Sequence, residues 1–204
     1  WGNWQIEDAT IYSGVWLYSL LGYADALNKI KDLFATPEMY YYAQYYLNLM
    51  CPAGVVPDFG DAHWTSNWTH FLVYFEAAAA ALKDPGLKWA AETTAAKFVD
   101  FGKPTSSGLG YMLLDCYRWG TDDVKAAVPT TPSMEVMEDV QGKKIVFRNG
   151  WSPLSSYLLL NYRDEGDGGL NFRDYLRDTI PVEEEKMTHG HADENSLVLL
   201  MSGG

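Results

Sequence analysis

The chain has 204 residues, of which 48% are hydrophobic, and 27 acidic against 15 basic side chains give it a net charge of -12. A hydrophobic share of that size supports a buried core and excludes a disordered chain, and the acidic balance excludes nucleic acid as the main partner, because phosphate binding needs a Lys/Arg surface. Aromatics reach 15%, with 8 Trp and 14 Tyr, a composition found where rings stack on sugar faces as well as in aromatic cores.

Residues 6–27 place Tyr12, Val15, Trp16, Leu20, Tyr23 and Leu27 at helical spacing with no proline between them, which predicts a helix. Thr36 before Pro37 and Glu38 marks a second helix start, and EMYYYAQYYLNLM is aromatic nearly all round, so that helix is expected to be buried on most sides. CPAGVVPDFGDAHW holds two prolines and two glycines and reads as a loop. NWTHFLVYFEAAAAAL and LKWAAETTAAKFVDF read as helices separated by a DPG break, and GYMLLDCYRWG as a last helix. Beyond it the texture changes to turn dipeptides and short β-branched or apolar runs, KKIVFRN, SSYLLLNYR and NSLVLLM, which are strands. Helices followed by strands without alternation predict an α+β protein with two packed domains, 1–128 and 129–204, the boundary falling between residues 128 and 132.

Cys51 and Cys116 stand far apart, outside any CxxC spacing, and read as small buried hydrophobes. No run reaches the ~18 apolar residues of a membrane span. The N-terminus has no Met and no basic-then-apolar leader, and SLVLLMSGG stops just after a strand-like run, so the chain reads as a fragment of a longer protein. DEGDGGLNFRDYLRDT is a polar loop, either solvated or shaping a cleft for an acidic ligand.

The chemistry concentrates in THGHADENSLVLL. In an extended segment His189, His191 and Asp193 share one face. Imidazole takes a proton near neutral pH or binds a transition metal, and a neighbouring carboxylate fixes its tautomer. Metallo-β-lactamase-like hydrolases and amidohydrolases also carry HxH pairs, but the first need HxHxDH where Glu194 stands here, and the second place the pair on an early strand.

THGHADENSLVLL resembles the GHGHAD segment, followed by an apolar strand, of the heparinase II/III-like polysaccharide lyases. KKIVFRNGW and SSYLLLNYRDEG resemble the first strands of that family's β-domain, LGYMLLDCYRWG the last helix of its (α/α) toroid, EDATIYSGVWLY the toroid helix with the catalytic tyrosine, and VVPDFGDAHW a loop over its cleft. The resemblance implies an incomplete (α/α) toroid of helical hairpins followed by the first strands of an antiparallel β-sandwich. It implies His189 and Tyr12 as the catalytic pair, with Tyr18 the nearest substitute on the same helix, and His191 as the first ligand of a structural zinc whose remaining ligands lie beyond residue 204. The family's substrate-binding Asn element would precede the first residue. Asp61, His63 and Trp64, on the cleft loop, are candidate sugar contacts, whereas His70 reads as a core or surface histidine.

Such lyases cleave a uronic-acid polymer by β-elimination: a base removes the C5 proton, the carboxylate stabilises the anion, and an acid protonates the leaving oxygen. Tyrosine as base near pH 7 requires a pKa ~3 units below its usual ~10, or ~4 kcal/mol of preferential phenolate stabilisation. His189 supplies it or is itself the base. The uronate needs a guanidinium, with Arg118, Arg148, Arg163, Arg173 and Arg177 all open and Arg163 standing with the loop residues as a candidate substrate contact. The expected partner is an acidic polysaccharide and the expected location the periplasm or the exterior. A noncatalytic carbohydrate-binding module and an (α/α) toroid glycoside hydrolase recruiting Glu7, Asp8 or Asp61 are the alternatives.

Overall fold

The architecture is that of a computed structural model, which describes residues 10–59, 68–99, 107–130, 135–139, 144–162 and 196–200. Among these residues six helices come first: α1 (Thr10–Ala26), α2 (Ile30–Phe34), α3 (Pro37–Leu49), α4 (Trp68–Leu82), α5 (Pro85–Phe98) and α6 (Ser107–Trp119). Four strands follow among the described residues: β1 (Glu135–Asp139), β2 (Lys144–Arg148), β3 (Tyr157–Asn161) and β4 (Ser196–Leu200). The order is α+β, as the change of sequence texture predicts. Asp61, His63, Trp64, Arg163, His189 and His191 lie outside the described residues.

Local chemistry sets the helix ends. Thr36 caps α3 by accepting from the Met39 amide, with Pro37 in the first turn. Lys83 takes a left-handed φ of 56° after the end of α4, and Asp84 Oδ1 then accepts from the Gly86 and Leu87 amides at 2.7 and 3.2 Å to start α5. The DPG break is therefore a C-terminal turn fused to an N-cap. α4 is the central helix, with Phe71 to Phe75 and Ala77 to Ala79 all buried, and it packs on α1, α5 and α6. Its one carboxylate, Glu76, is held by Lys88 Nζ at 2.9 and 3.0 Å.

α1 reverses the reading its spacing invites. Its buried residues are Thr10, Ser13, Gly14, Leu17, Leu21 and Ala24, while Tyr12, Val15, Trp16, Tyr23 and Leu27 are exposed. The small face wins because it allows close approach to α4: a Cβ on Gly14 would sit 3.0 Å from His70 Cβ. The larger stripe is displaced to the flanks and outward. α3 is likewise only partly enclosed, with Tyr45 and Tyr46 buried but Tyr40 and Tyr41 exposed.

The sheet is antiparallel in the order β1-β2-β3-β4. One face is built in rows. Lys144, Asn161 and Ser196 are in register, then Val146, Leu159 and Val198, then Arg148, Tyr157 and Leu200. The β2 and β3 members of all three rows are buried, whereas Phe147, Leu197 and Leu199 on the other face are exposed. The third row docks on the end of α3: Arg148 donates to the Asn48 and Met50 carbonyls, and Tyr157 Oη to Leu49 O at 2.8 Å. Three carbonyls at a helix C-terminus thus receive side-chain donors from the sheet. Trp151 packs edge-on against Trp89 of α5 beside them, and the buried hydrophobic cluster runs continuously from helices to sheet.

Candidate functional site

The first row of the sheet and the first turn of α1 meet at Phe59. Thr10 N donates to Phe59 O at 3.0 Å, Phe59 N donates to Thr10 Oγ1 at 3.0 Å, and Thr10 Oγ1 donates to Pro57 O at 3.0 Å. The side chain of Phe59 is buried and lies under Lys144 Nζ, 4.3 Å from the ring centroid. Across the sheet Lys144 pairs with Asn161 and Asn161 with Ser196, so two inter-strand steps, roughly 10 Å, separate the β2 and β4 backbones. Each point is the attachment of a sequence-predicted segment. Tyr12 is two residues past Thr10, the segment with Asp61, His63 and Trp64 leaves directly from Phe59, and the one with His189 and His191 enters at Ser196.

Of the predicted site residues, Tyr12 is described. It sits in the first turn of α1 with 36% of its surface exposed. Tyr18, the substitute, has a different fate. Its hydroxyl donates to Asp115 Oδ2 at 2.6 Å, and Asp115 also accepts from Arg118, which reaches Asp25 on α1 at 2.6 Å. Burial, then the Asp115 hydrogen bond and charge, push the Tyr18 phenol up to about 12. A base near neutral pH needs the opposite shift, so Tyr18 is fixed as a structural donor. The folded-state pKa exceeds the unfolded value of ~10, so this group's contribution to stability is complete below pH ~10 and is lost as pH rises towards 12. Asp115→Asn is expected to bring Tyr18 back towards 10, read from the ζ-carbon resonance of labelled tyrosine and assigned with Tyr18→Phe.

His70 on α4 meets the Tyr18 ring edge-on at 5.7 Å. Its Nδ1 is buried with no hydrogen-bond partner among the described residues, and burial lowers its pKa, keeping the ring neutral. Two of the five candidate uronate arginines are committed elsewhere. Arg148 is buried against the end of α3 and over the Trp151 ring, 3.8 Å from its centroid, and Arg118 is tied to Asp25 and Asp115. Arg163, Arg173 and Arg177 lie outside the described residues.

A cavity of about 460 Å³ opens between Gln44, Asn48, Asp84 and Pro129, away from Tyr12. Asp84 and Gln44 are already bonded to each other there at 2.8 Å. Among the described residues no group of three or more His, Cys, Asp or Glu is placed to hold a metal, both cysteines are free, and no helix is long and apolar enough to cross a membrane.

Sequence reasoning missed Thr10, Phe59 and Lys144. Nothing in the sequence of β2 singles out Lys144, since Arg148 is a second charged residue on the inward side of the same strand. Comparison with protein-family models, curated proteins and solved structures gives no match.

Proposed function

We propose that the chain acts as a polysaccharide lyase on a uronic-acid polymer, with Tyr12 and His189 as its acid-base pair. In this reading the helices are part of an (α/α) toroid and the strands the start of a β-sandwich. The observation that carries it is the junction at Phe59: the helix bearing Tyr12 is bonded to Phe59, the chain runs on from Phe59 to Asp61, His63 and Trp64, and β4, which follows His189 in the chain, lies two strands from the Lys144 that covers the Phe59 ring. The fold order and the HGHAD spacing support the same reading.

One partner of the pair takes the C5 proton and the other returns a proton to the leaving glycosidic oxygen, so no water is consumed. The first turn of a helix, where Tyr12 stands, favours the negative charge that develops on the uronate. With Arg118 and Arg148 occupied, Arg163, Arg173 or Arg177 supplies the guanidinium. Zinc at His191 keeps a structural role in the proposal, holding the segment so that His189 faces the cleft, and no step of the elimination runs through it. A polymeric substrate places the activity in the periplasm or outside the cell.

Incubation with a panel of uronic-acid polymers is expected to produce the ultraviolet absorbance of an unsaturated uronyl end. Saturated ends would indicate a hydrolase instead. One observation favours a noncatalytic sugar-binding role, the exposed Tyr12, Trp16 and Tyr23 along α1; binding without product, unchanged by His189→Ala, would establish it.

A further inference from the structure

The cavity of about 460 Å³ beside α3 has walls that are fixed to one another. Gln44 and Asn48 are four residues apart on α3, so their carboxamides stand one turn from each other on one face of the helix. Asp84, which opens α5, meets Gln44, and residues 127–130 form the third wall. That stretch is pinned to the start of α5 by the Ala127 amide, which donates to Pro85 O at 3.0 Å. Gly86 lets the walls approach: a Cβ there would lie 3.2 Å from Asp84 Oδ1, 3.4 Å from Leu47 Cδ2 and 3.5 Å from Pro129 Cγ.

The lining selects by charge and by hydrogen-bonding type. Asp84 is its one charged side chain among the described residues, and both of its oxygens are engaged. Oδ1 accepts from the Gly86 and Leu87 amides, and Oδ2 from Gln44 Nε2 at 2.8 Å. A cation would find a carboxylate that already carries three bonds. An anion would meet that carboxylate with no lysine, arginine or histidine among the described lining residues to offset it. What is left is neutral and two-sided: the Gln44 Oε1 acceptor and the Asn48 carboxamide, which is both donor and acceptor and bonds to no described residue. Beside them Leu47, Val128 and Pro129 supply apolar surface. Hydroxyls, each a donor and an acceptor, on a ring with apolar C–H faces match both halves of this lining.

We propose that the cavity between α3, the start of α5 and residues 127–130 binds a neutral sugar unit, with Gln44 and Asn48 bonding its hydroxyls and Pro129 against its C–H face. The volume of about 460 Å³ falls within the ~300–1,000 Å³ of small-molecule sites. None of these residues takes part in the elimination proposed above, so the site stands or falls without it.

Glucose, galactose, mannose and N-acetylglucosamine, titrated singly into the nitrogen-15-labelled chain, provide the test. The side-chain amide resonances of Gln44 and Asn48 are assigned by their loss in Gln44→Met and Asn48→Ala. At least one sugar is expected to shift both saturably, with a Kd on the order of 1 mM, which suits a ligand of about a dozen non-hydrogen atoms. Asn48→Ala is expected to weaken that binding about tenfold while the chain stays folded, since the group removed bonds to no described residue and alanine favours a helix. Asp84→Asn keeps an N-cap and is expected to change the Kd by less than about threefold. Trp16→Ala, on the exposed side of α1, is expected to leave binding unchanged. An oligomer of the bound sugar that binds more tightly than the monomer marks a unit of a chain as the occupant, and equal binding a free sugar; both support the site. No saturable shift with any of the four up to about 50 mM, well past that Kd, overturns the proposal. So does a stronger response to glucuronate or to arginine, or binding that survives Asn48→Ala and is lost in Trp16→Ala. Should Asp84→Asn fail to fold, the arginine titration still separates a cation from a neutral ligand.

Discussion

Replacing Arg148 with methionine is expected to destabilise the protein by about 3 kcal/mol, a large part of the ~5–15 kcal/mol that holds a domain folded. Arg148 is 5% exposed, and its guanidinium donates to the carbonyls of Asn48 and Met50 and lies over the Trp151 ring with Tyr157 beyond it at 5.5 Å. Hydrogen bonds from a charged donor contribute ~1.5–3 kcal/mol each, and a buried carbonyl left without its donor costs ~1–3 kcal/mol. Set against this, methionine removes the desolvation of a buried charge, which keeps the net loss below the sum of the two bonds. Arg148→Lys is expected to recover only part of the loss, because one ammonium cannot present the fork that reaches two carbonyls at the end of α3. Tyr157→Phe removes the single bond to Leu49 O and is expected to cost about 1 kcal/mol. Urea unfolding checks all three: the midpoint falls furthest for Arg148→Met and least for Tyr157→Phe, with the slope unchanged. An Arg148→Met variant within about 0.5 kcal/mol of the parent would show that the sheet holds to α3 by apolar packing and the Tyr157 bond, with no net contribution from the guanidinium.

The helix and strand order was legible because long periodic segments and β-branched runs state their own type. Thr36-Pro37 and Asp84-Pro85 each carry their helix start in two residues, and both caps form. β1 escaped because Glu135–Asp139 is EVMED, three acids in five residues; among the described residues it is the edge strand, paired only with β2. The inside of α1 was unreadable from periodicity for a different reason. Hydrophobic spacing marks Tyr12, Trp16 and Tyr23, yet helix packing selected Ser13, Gly14 and Leu17, since the distance to α4 depends on the smallest side chains. Tyr18 shows the same limit at the level of chemistry: nothing local distinguishes it from Tyr12, and its partner Asp115 is 97 residues away. The proposed site is therefore legible in the sequence only as a motif at His189 and as a tyrosine at position 12. The contacts of Phe59 with Thr10 and with Lys144 join residues far apart in the chain, which no spacing encodes.

His189→Ala is expected to lower kcat on a cleaved uronic-acid polymer by ~10³–10⁴-fold, and Tyr12→Phe by ~10²–10⁴-fold, with KM changing little in either. The size follows from the reaction. Elimination needs one group to remove the C5 proton and another to protonate the departing oxygen, and loss of either leaves the transition state with an uncompensated charge. Because the two act as a unit, the double variant is expected to be no more than about tenfold slower than the worse single one. Tyr18→Phe is the internal comparison. Its hydroxyl is bonded to Asp115 and its pKa is raised to about 12, so its loss is expected to change kcat by less than about fivefold while disturbing the α1–α6 contact. The opposite pattern, with Tyr18→Phe inactive and Tyr12→Phe active, would transfer the acid-base role to the buried network between α1, α4 and α6, where His70 and Asp115 flank Tyr18. Activity retained in His189→Ala would remove His189 from the proposed acid-base pair.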